Sequence, residues 1–130
     1  MIAYGKIFSV LGQVLFVCAT CGHDSIASER PYIAGSCFWC VEADFESISC
    51  VIEVRPGFSG GSTKNPNYKN VRKGGTGHKE SVEIEFDSLQ VSIEELLYKF
   101  LRSLNVTDGQ GQFCDRGESY TTAIFPRNKE

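Results

Sequence analysis

Four of the six cysteines in this chain come as two pairs, Cys18-x-x-Cys21 and Cys37-x-x-Cys40, while Cys50 and Cys114 stand apart. Pairs at this spacing do two familiar kinds of chemistry. Four thiolates hold a zinc ion, and the fifteen residues between Cys21 and Cys37 fall within the spacing of a four-cysteine site. Alternatively, one pair is a dithiol that cycles through a disulfide. The second pair is the better placed for that. In "AGSCFWCVEADF" Cys37 opens a segment in which Phe38, Val41, Phe45 and Ile48 recur at helical spacing, with Glu42, Asp44 and Glu46 facing away. A thiol at a helix start meets the positive end of the helix dipole, which favours the reactive thiolate. Cys40 lies one turn later on the same face, within reach of the first sulfur. Cys50 and Cys114 are equally well explained as small buried hydrophobes.

Composition removes other classes of function. With 130 residues, 42% of them hydrophobic and 22% charged, the chain suits one soluble domain with a modest core. A net charge of -3 gives no footprint for nucleic acid, and the densest basic cluster, Lys69, Arg72 and Lys73, reads as a solvated face. Near the N-terminus, "KIFSVLGQVLFVCA" is too short and too interrupted by Gln13 to span a membrane as a helix. It leads to Ser25-x-Ala27, a pattern that a signal peptidase accepts. Residues 1–27 are therefore expected to be an export signal, with secretion or periplasmic location following, and residues 28–130 the catalytic domain. The alternatives are an N-terminal strand or helix and a cytoplasmic protein. Because the first cysteine pair ends this removable run, zinc is the weaker of the two cysteine readings.

The elements that must position Cys37 are legible on either side of it. "PYIAG" suits a buried strand, and the helix follows from Cys37. "VIEV" is a second strand, expected to end at Pro56-Gly57, after which residues 57–78 form a long Gly- and Asn-rich loop with one helical turn after Pro66. Loops of that length in compact domains are usually functional. "ESVEIEFD" alternates as a half-buried strand. "SIEELLYKFLRSL" is a helix opened by a Ser92/Glu95 capping box, with Ile93, Leu96, Leu97, Phe100, Leu101 and Leu104 as its apolar stripe. A polar segment from Asn105 to Gly117 follows, and "YTTAIF" closes as a strand. Strand-helix-strand, loop, strand-helix-strand is the order of an α+β fold, a ferredoxin-like split βαβ plait forming a two-layer sandwich.

Taken with three further stretches, the cysteine segment resembles a known family. "GSCFWCVEADF", "GFSGGSTKNPNY", "GGTGHKESVEIEF" and "QFCDRGESYTTAIF" are similar to motifs of peptide methionine sulfoxide reductase A, in the same order, over roughly residues 30–126. One such match is weak evidence; four in order are strong. The resemblance implies that Cys37 is a nucleophile attacking the sulfur of methionine S-sulfoxide. It implies that Glu80 is the acid meeting the sulfoxide oxygen, with Tyr68 and Tyr120 hydrogen-bonding the same oxygen and Asp115 organising them. Phe38 and Trp39 match the aromatic wall that receives the S-methyl group. Chemistry agrees at each point. Charge develops on the oxygen, so a carboxyl kept protonated in an apolar pocket, or a phenol, is a suitable donor there.

Attack leaves Cys37 as a sulfenic acid, which a second thiol must clear. Many family members place that thiol in a C-terminal tail, and the chain looks like the family core without its closing segment. Cys40, where many relatives carry glycine, is the first candidate, and Cys114 the second. Thioredoxin or another dithiol donor would then reduce the disulfide, and no metal or organic cofactor is implied. A monomer is expected. Other departures are Ser36 and Cys50, each standing where the family commonly has glycine, and Phe58 in place of a frequent tyrosine. If the turn at Cys50 needs a positive φ, cysteine costs stability there. The rival activity, on residues alone, is a general thiol-disulfide oxidoreductase using Cys37 and Cys40; a zinc-binding module is the rival outside enzymes.

Overall fold

A computed structural model describes residues 27–126. The export signal expected at the N-terminus and the Cys18/Cys21 half of the zinc reading lie outside the described residues. The fold is α+β: an antiparallel sheet with two helices packed on one face.

Strands β1 (Ser28–Glu29) and β2 (Tyr32–Ala34) pair with one edge of β4 (Lys79–Asp87) in a single continuous register, interrupted at Arg30-Pro31. Strand β3 (Val51–Ser59) pairs with the other edge of β4, and β7 (Ala123–Phe125) pairs with β2. Across the sheet the order is therefore β3-β4-β2-β7, every neighbour antiparallel. Alternation along β4 sends Glu80, Val82, Ile84 and Phe86 to one face, where they are buried. Helices α1 (Phe38–Glu46) and α3 (Ile93–Arg102) cover that face: Phe38, Val41, Phe45, Leu96 and Phe100 join Ile33, Val54, Val82, Ile84 and Phe86 in one core. The opposite face is polar. Arg55 bridges Glu53, Glu83 and Glu85, and Arg30 joins Glu85 at 2.9 Å.

Several expectations change. Pro56-Gly57 does not end β3, which continues to Ser59 with Pro56 opposite Val82 and Phe58 opposite Glu80. Within the described residues β3 pairs only with β4, and an edge strand tolerates a residue without an N–H. The long loop consequently starts later and contains α2 (Tyr68–Lys73), whose N-cap Asn67 accepts from the Asn70 amide at 3.0 Å. The polar segment after α3 holds a small hairpin of β5 (Gly111–Gln112) and β6 (Asp115–Arg116), and then a 3-10 turn, Glu118–Tyr120. "YTTAIF" is thus a strand only in its last three residues. The cost foreseen at Cys50 is absent: the non-glycine residues with positive φ among those described are Ser36, Asn65 and Phe113.

Two close approaches fix the chain around the start of α1. A Cβ on Gly35 would lie 2.6 Å from the Phe100 ring, so glycine lets α3 press against the turn that delivers Cys37. A Cβ on Gly61 would strike the His78 ring at 2.4 Å. That ring clasps the loop: His78 Nδ1 accepts from the Gly61 amide at 3.3 Å, and Nε2 faces the Thr63 carbonyl at 2.9 Å. One nitrogen accepts and the other donates, as a neutral imidazole does.

Candidate active site

Strand β2 ends where β4 begins, because the two are antiparallel. Continuing their register places Gly35 opposite Glu80, so the start of α1 emerges beside that carboxyl. Cys37 is the N-cap of α1, in extended conformation and half-buried, with no side-chain cap bond. Its carbonyl accepts from the Cys40 and Val41 amides at 3.0 and 3.3 Å, which opens the helix. The amide of Phe38, one of the unpaired donors at a helix start, goes instead to Glu80 Oε2 at 3.2 Å.

Glu80 is 1% exposed. Cross-strand partners share a face, so Phe58 flanks it on β3, and Phe58 packs against Phe38 with ring centroids 5.7 Å apart. Burial raises its pKa; the Phe38 amide and the more distant Arg72 charge act in the opposite direction, while Asp115 adds to the rise. The protonated form is thereby favoured. Glu80 Oε1 is buried and has no hydrogen-bond partner among the described residues. With Oε2 accepting from Phe38, the proton of a neutral carboxyl belongs on Oε1, next to the helix start that carries Cys37.

Tyr120 follows from the 3-10 turn, which is tied to the loop before Glu80. The Gly75 amide donates to Glu118 Oε2 at 3.2 Å, and the Lys79 ammonium donates to Thr121 Oγ1. Burial raises the Tyr120 pKa, with Glu80, Tyr68 and Asp115 contributing in that order, so the phenol stays a neutral donor. Tyr120 therefore lies within electrostatic range of Glu80, Tyr68 and Asp115. Tyr68, at the first turn of α2, stacks on Trp39 at 14° with centroids 6.4 Å apart, and on Phe38 at 23° and 6.2 Å. Trp39 is 63% exposed and Tyr68 43%, so neither is core. Phe38 is buried and bridges core and surface. Phe38, Trp39 and Tyr68 thus form one cluster of rings beside the start of α1.

Asp115, on β6, accepts from Ser36 Oγ at 2.9 Å. Ser36 is buried and held at φ +96°, a conformation that L-residues adopt at a cost. The sequence marks Ser36 only as a departure from the family pattern; in the fold it ties the turn before Cys37 to the segment bearing Asp115. Gln112 was likewise missed. It is fully buried, accepting from the Asn105 amide at 2.8 Å and donating to the Asn105 carbonyl at 2.9 Å and Thr122 Oγ1 at 3.3 Å. It thereby fixes the segment that carries both Asp115 and Tyr120. The remaining thiols separate. Cys40 is exposed; its partial burial and the neighbouring Cys37, Asp115 and Asp44 groups raise its pKa, which keeps it a thiol. Cys114 is exposed in the two-residue turn between β5 and β6. Among the described residues no group of three His, Cys, Asp or Glu side chains is arranged to hold a metal ion.

The family model described as peptide methionine sulfoxide reductase matches residues 29–130. The chain belongs to that family. Among reductase relatives, it is 48% identical to peptide methionine sulfoxide reductase MsrA 2 of Rhizobium meliloti over 105 residues, covering 79% of this chain and 52% of that protein. It is 45% identical to the MsrA of Bacillus licheniformis over 77% of this chain and 55% of the relative. The solved methionine sulfoxide reductase A of Corynebacterium diphtheriae superposes with a TM-score of 0.75 at 36% identity, over 78% of this chain and 48% of that one. Reduced Mxr1 of Saccharomyces cerevisiae, at 22% identity and a TM-score of 0.73, shares the fold. The chain spans about half the length of the reductase relatives it matches.

Proposed function

We propose that this protein reduces methionine S-sulfoxide, free or within polypeptides, to methionine by a cysteine-based reaction that repairs oxidative damage. The observation that carries this reading is Glu80: a buried carboxyl with one oxygen on the amide beside Cys37 and the other unpartnered. In that arrangement the Cys37 thiolate attacks the sulfoxide sulfur while Glu80 Oε1 gives its proton to the oxygen, with Tyr68 and Tyr120 as further donors. Phe38, Trp39 and Tyr68 receive the S-methyl group, since sulfur and methyl contacts with rings are favourable. The net step moves the oxygen to Cys37, whose sulfur loses two electrons to the methionine sulfur. Cys37 becomes a sulfenic acid and methionine leaves.

Cys40 is the thiol we assign to the next step, with Cys114 second. Its sulfur attacks the sulfenic acid, water departs and a Cys37–Cys40 disulfide forms. Thioredoxin or a similar dithiol then returns both thiols by exchange. The proximity of Cys40 to Cys37 supports this order. The strand order likewise supports reading residues 28–130 as one split βαβ plait, which we take to act as a monomer.

Reduced protein mixed with excess R- and S-sulfoxides of methionine tests the reading in one turnover. The S form alone should be consumed, with two thiols lost per methionine produced. Cys40→Ser should leave that first turnover intact and lose one thiol. Consumption of neither diastereomer would sink the reductase reading.

A further inference from the structure

The basic cluster that looked like a solvated face sits on the rim of the site. Lys69, Arg72 and Lys73 all lie on α2, all exposed, and with Tyr68 they line a shallow depression. The stacking of Tyr68 on Trp39 fixes this short helix against the start of α1. Arg72 is close enough to the centre for its charge to reach both Glu80 and Tyr120.

None of Lys69, Arg72 and Lys73 has an ion-pair partner among the described residues, so all three charges are open to a ligand. Arg72 and Lys73, in the last turn, complement the helix dipole, but Lys69 lies in the first turn, where a cation is disfavoured. Helix stability therefore does not account for it. The other flank of the site has the opposite sign, with Asp44 and Asp115 both acting on Cys40. A chain of net charge -3 repels acidic partners at long range, so a local cation cluster beside the mouth alters which of them can enter.

We infer that Lys69, Arg72 and Lys73 form a subsite for an acidic side chain next to the oxidised methionine, so that the substrates of choice are acidic polypeptide segments. This rests on the reductase reading and narrows it. Carboxylates at the rim are held by exposed ion pairs, individually weak and screened by salt, that sum over the cluster.

The test compares short peptides with one methionine S-sulfoxide flanked by aspartates, alanines or lysines. At low ionic strength the aspartate peptide should exceed the lysine peptide in kcat/KM by roughly fivefold, mostly through KM, as expected of a few weak exposed pairs. The gap should close at about 1 M salt, where the screening length falls to about 3 Å. Lys69→Glu/Lys73→Glu should invert the order, and Lys69→Gln/Lys73→Gln should flatten it. Because each result is a ratio between peptides, loss of overall activity in a variant does not disturb it. Equal kcat/KM for all peptides, or an order the variants leave unchanged, overturns the inference. N-acetyl methionine sulfoxide amide and free methionine sulfoxide complete the set. If the free amino acid gains as much in KM over the blocked one as the aspartate peptide gains over the alanine peptide, the rim serves the substrate's own carboxylate and the inference fails. If even the blocked compound is not reduced, the reductase reading itself has failed and this inference with it.

Discussion

The two long helices of this fold begin in opposite ways. Helix α3 closes its own start: Ser92 accepts from the Glu95 amide at 3.2 Å, and the Glu95 carboxylate accepts from the Ser92 amide at 3.0 Å. Both partners lie within one turn, so this end is capped from within the helix itself. Helix α1 starts at a cysteine that makes no cap bond, and the Phe38 amide is met by Glu80, 42 residues away on β4. Its first turn stays open to a ligand, and the group that completes it is a titratable acid. The difference shows what a reactive helix start requires. Local capping residues must be withheld, and the missing partner must come from the sheet.

Replacing Cys37, the proposed nucleophile, breaks this contrast most severely. Cys37→Ser should abolish sulfoxide reduction in single-turnover assays. It should also stabilise the fold by up to about 1 kcal/mol, because serine is a favoured N-cap and would close α1 as Ser92 closes α3. Denaturant midpoints measure this, and an unchanged or lower midpoint would contradict the idea that α1 lacks a cap.

Glu80→Gln sharpens the contrast from the other side. The amide oxygen can still accept from Phe38, but the acid is gone, and the single-turnover rate should fall by about 100-fold or more. Stability against pH gives a second readout. Burial raises the Glu80 pKa, so the native state keeps a proton that the unfolded chain releases. Stability should fall as pH rises from the ordinary carboxylate value to the raised one, and change no further on this account above it. The glutamine variant should lack that decline. Parallel curves for the two proteins would show that Glu80 is an ordinary carboxylate.

Ser92→Ala carries the smallest effect. Loss of the capping box should cost about 1 kcal/mol of stability. Sulfoxide consumption at a temperature where the variant is folded should match the parent's. A rate loss near that of Glu80→Gln would mean that the two helix starts are not functionally distinct.

Sequence made the locally determined parts legible. The α3 capping box, the alternation of β4 and the helix after Cys37 each depend on neighbours a few residues apart, and each stands where its pattern indicated. What escaped depends on distant partners. Pro56 reads as a stop until β3 is known to be an edge, and Gln112 reads as loop until its side chain meets Asn105 and Thr122. The site divides in the same way. The motifs marked Cys37, Glu80, Tyr68, Tyr120 and Asp115, but nothing local announces that Ser36 holds Asp115 or that His78 clasps the loop through Gly61 and Thr63. A serine beside a cysteine and a histidine in a glycine-rich stretch are common, and spacing carries no information on contacts across the fold.

Pro56 has a consequence beyond its place in the ladder. An uncovered strand offers its amides and carbonyls to any other extended chain, and sheets of separate molecules join there to aggregate. Pro56 removes one donor from β3, and Glu53 and Arg55 place charges along the same strand. The residue that first looked like the end of a strand guards that strand against being extended by another chain.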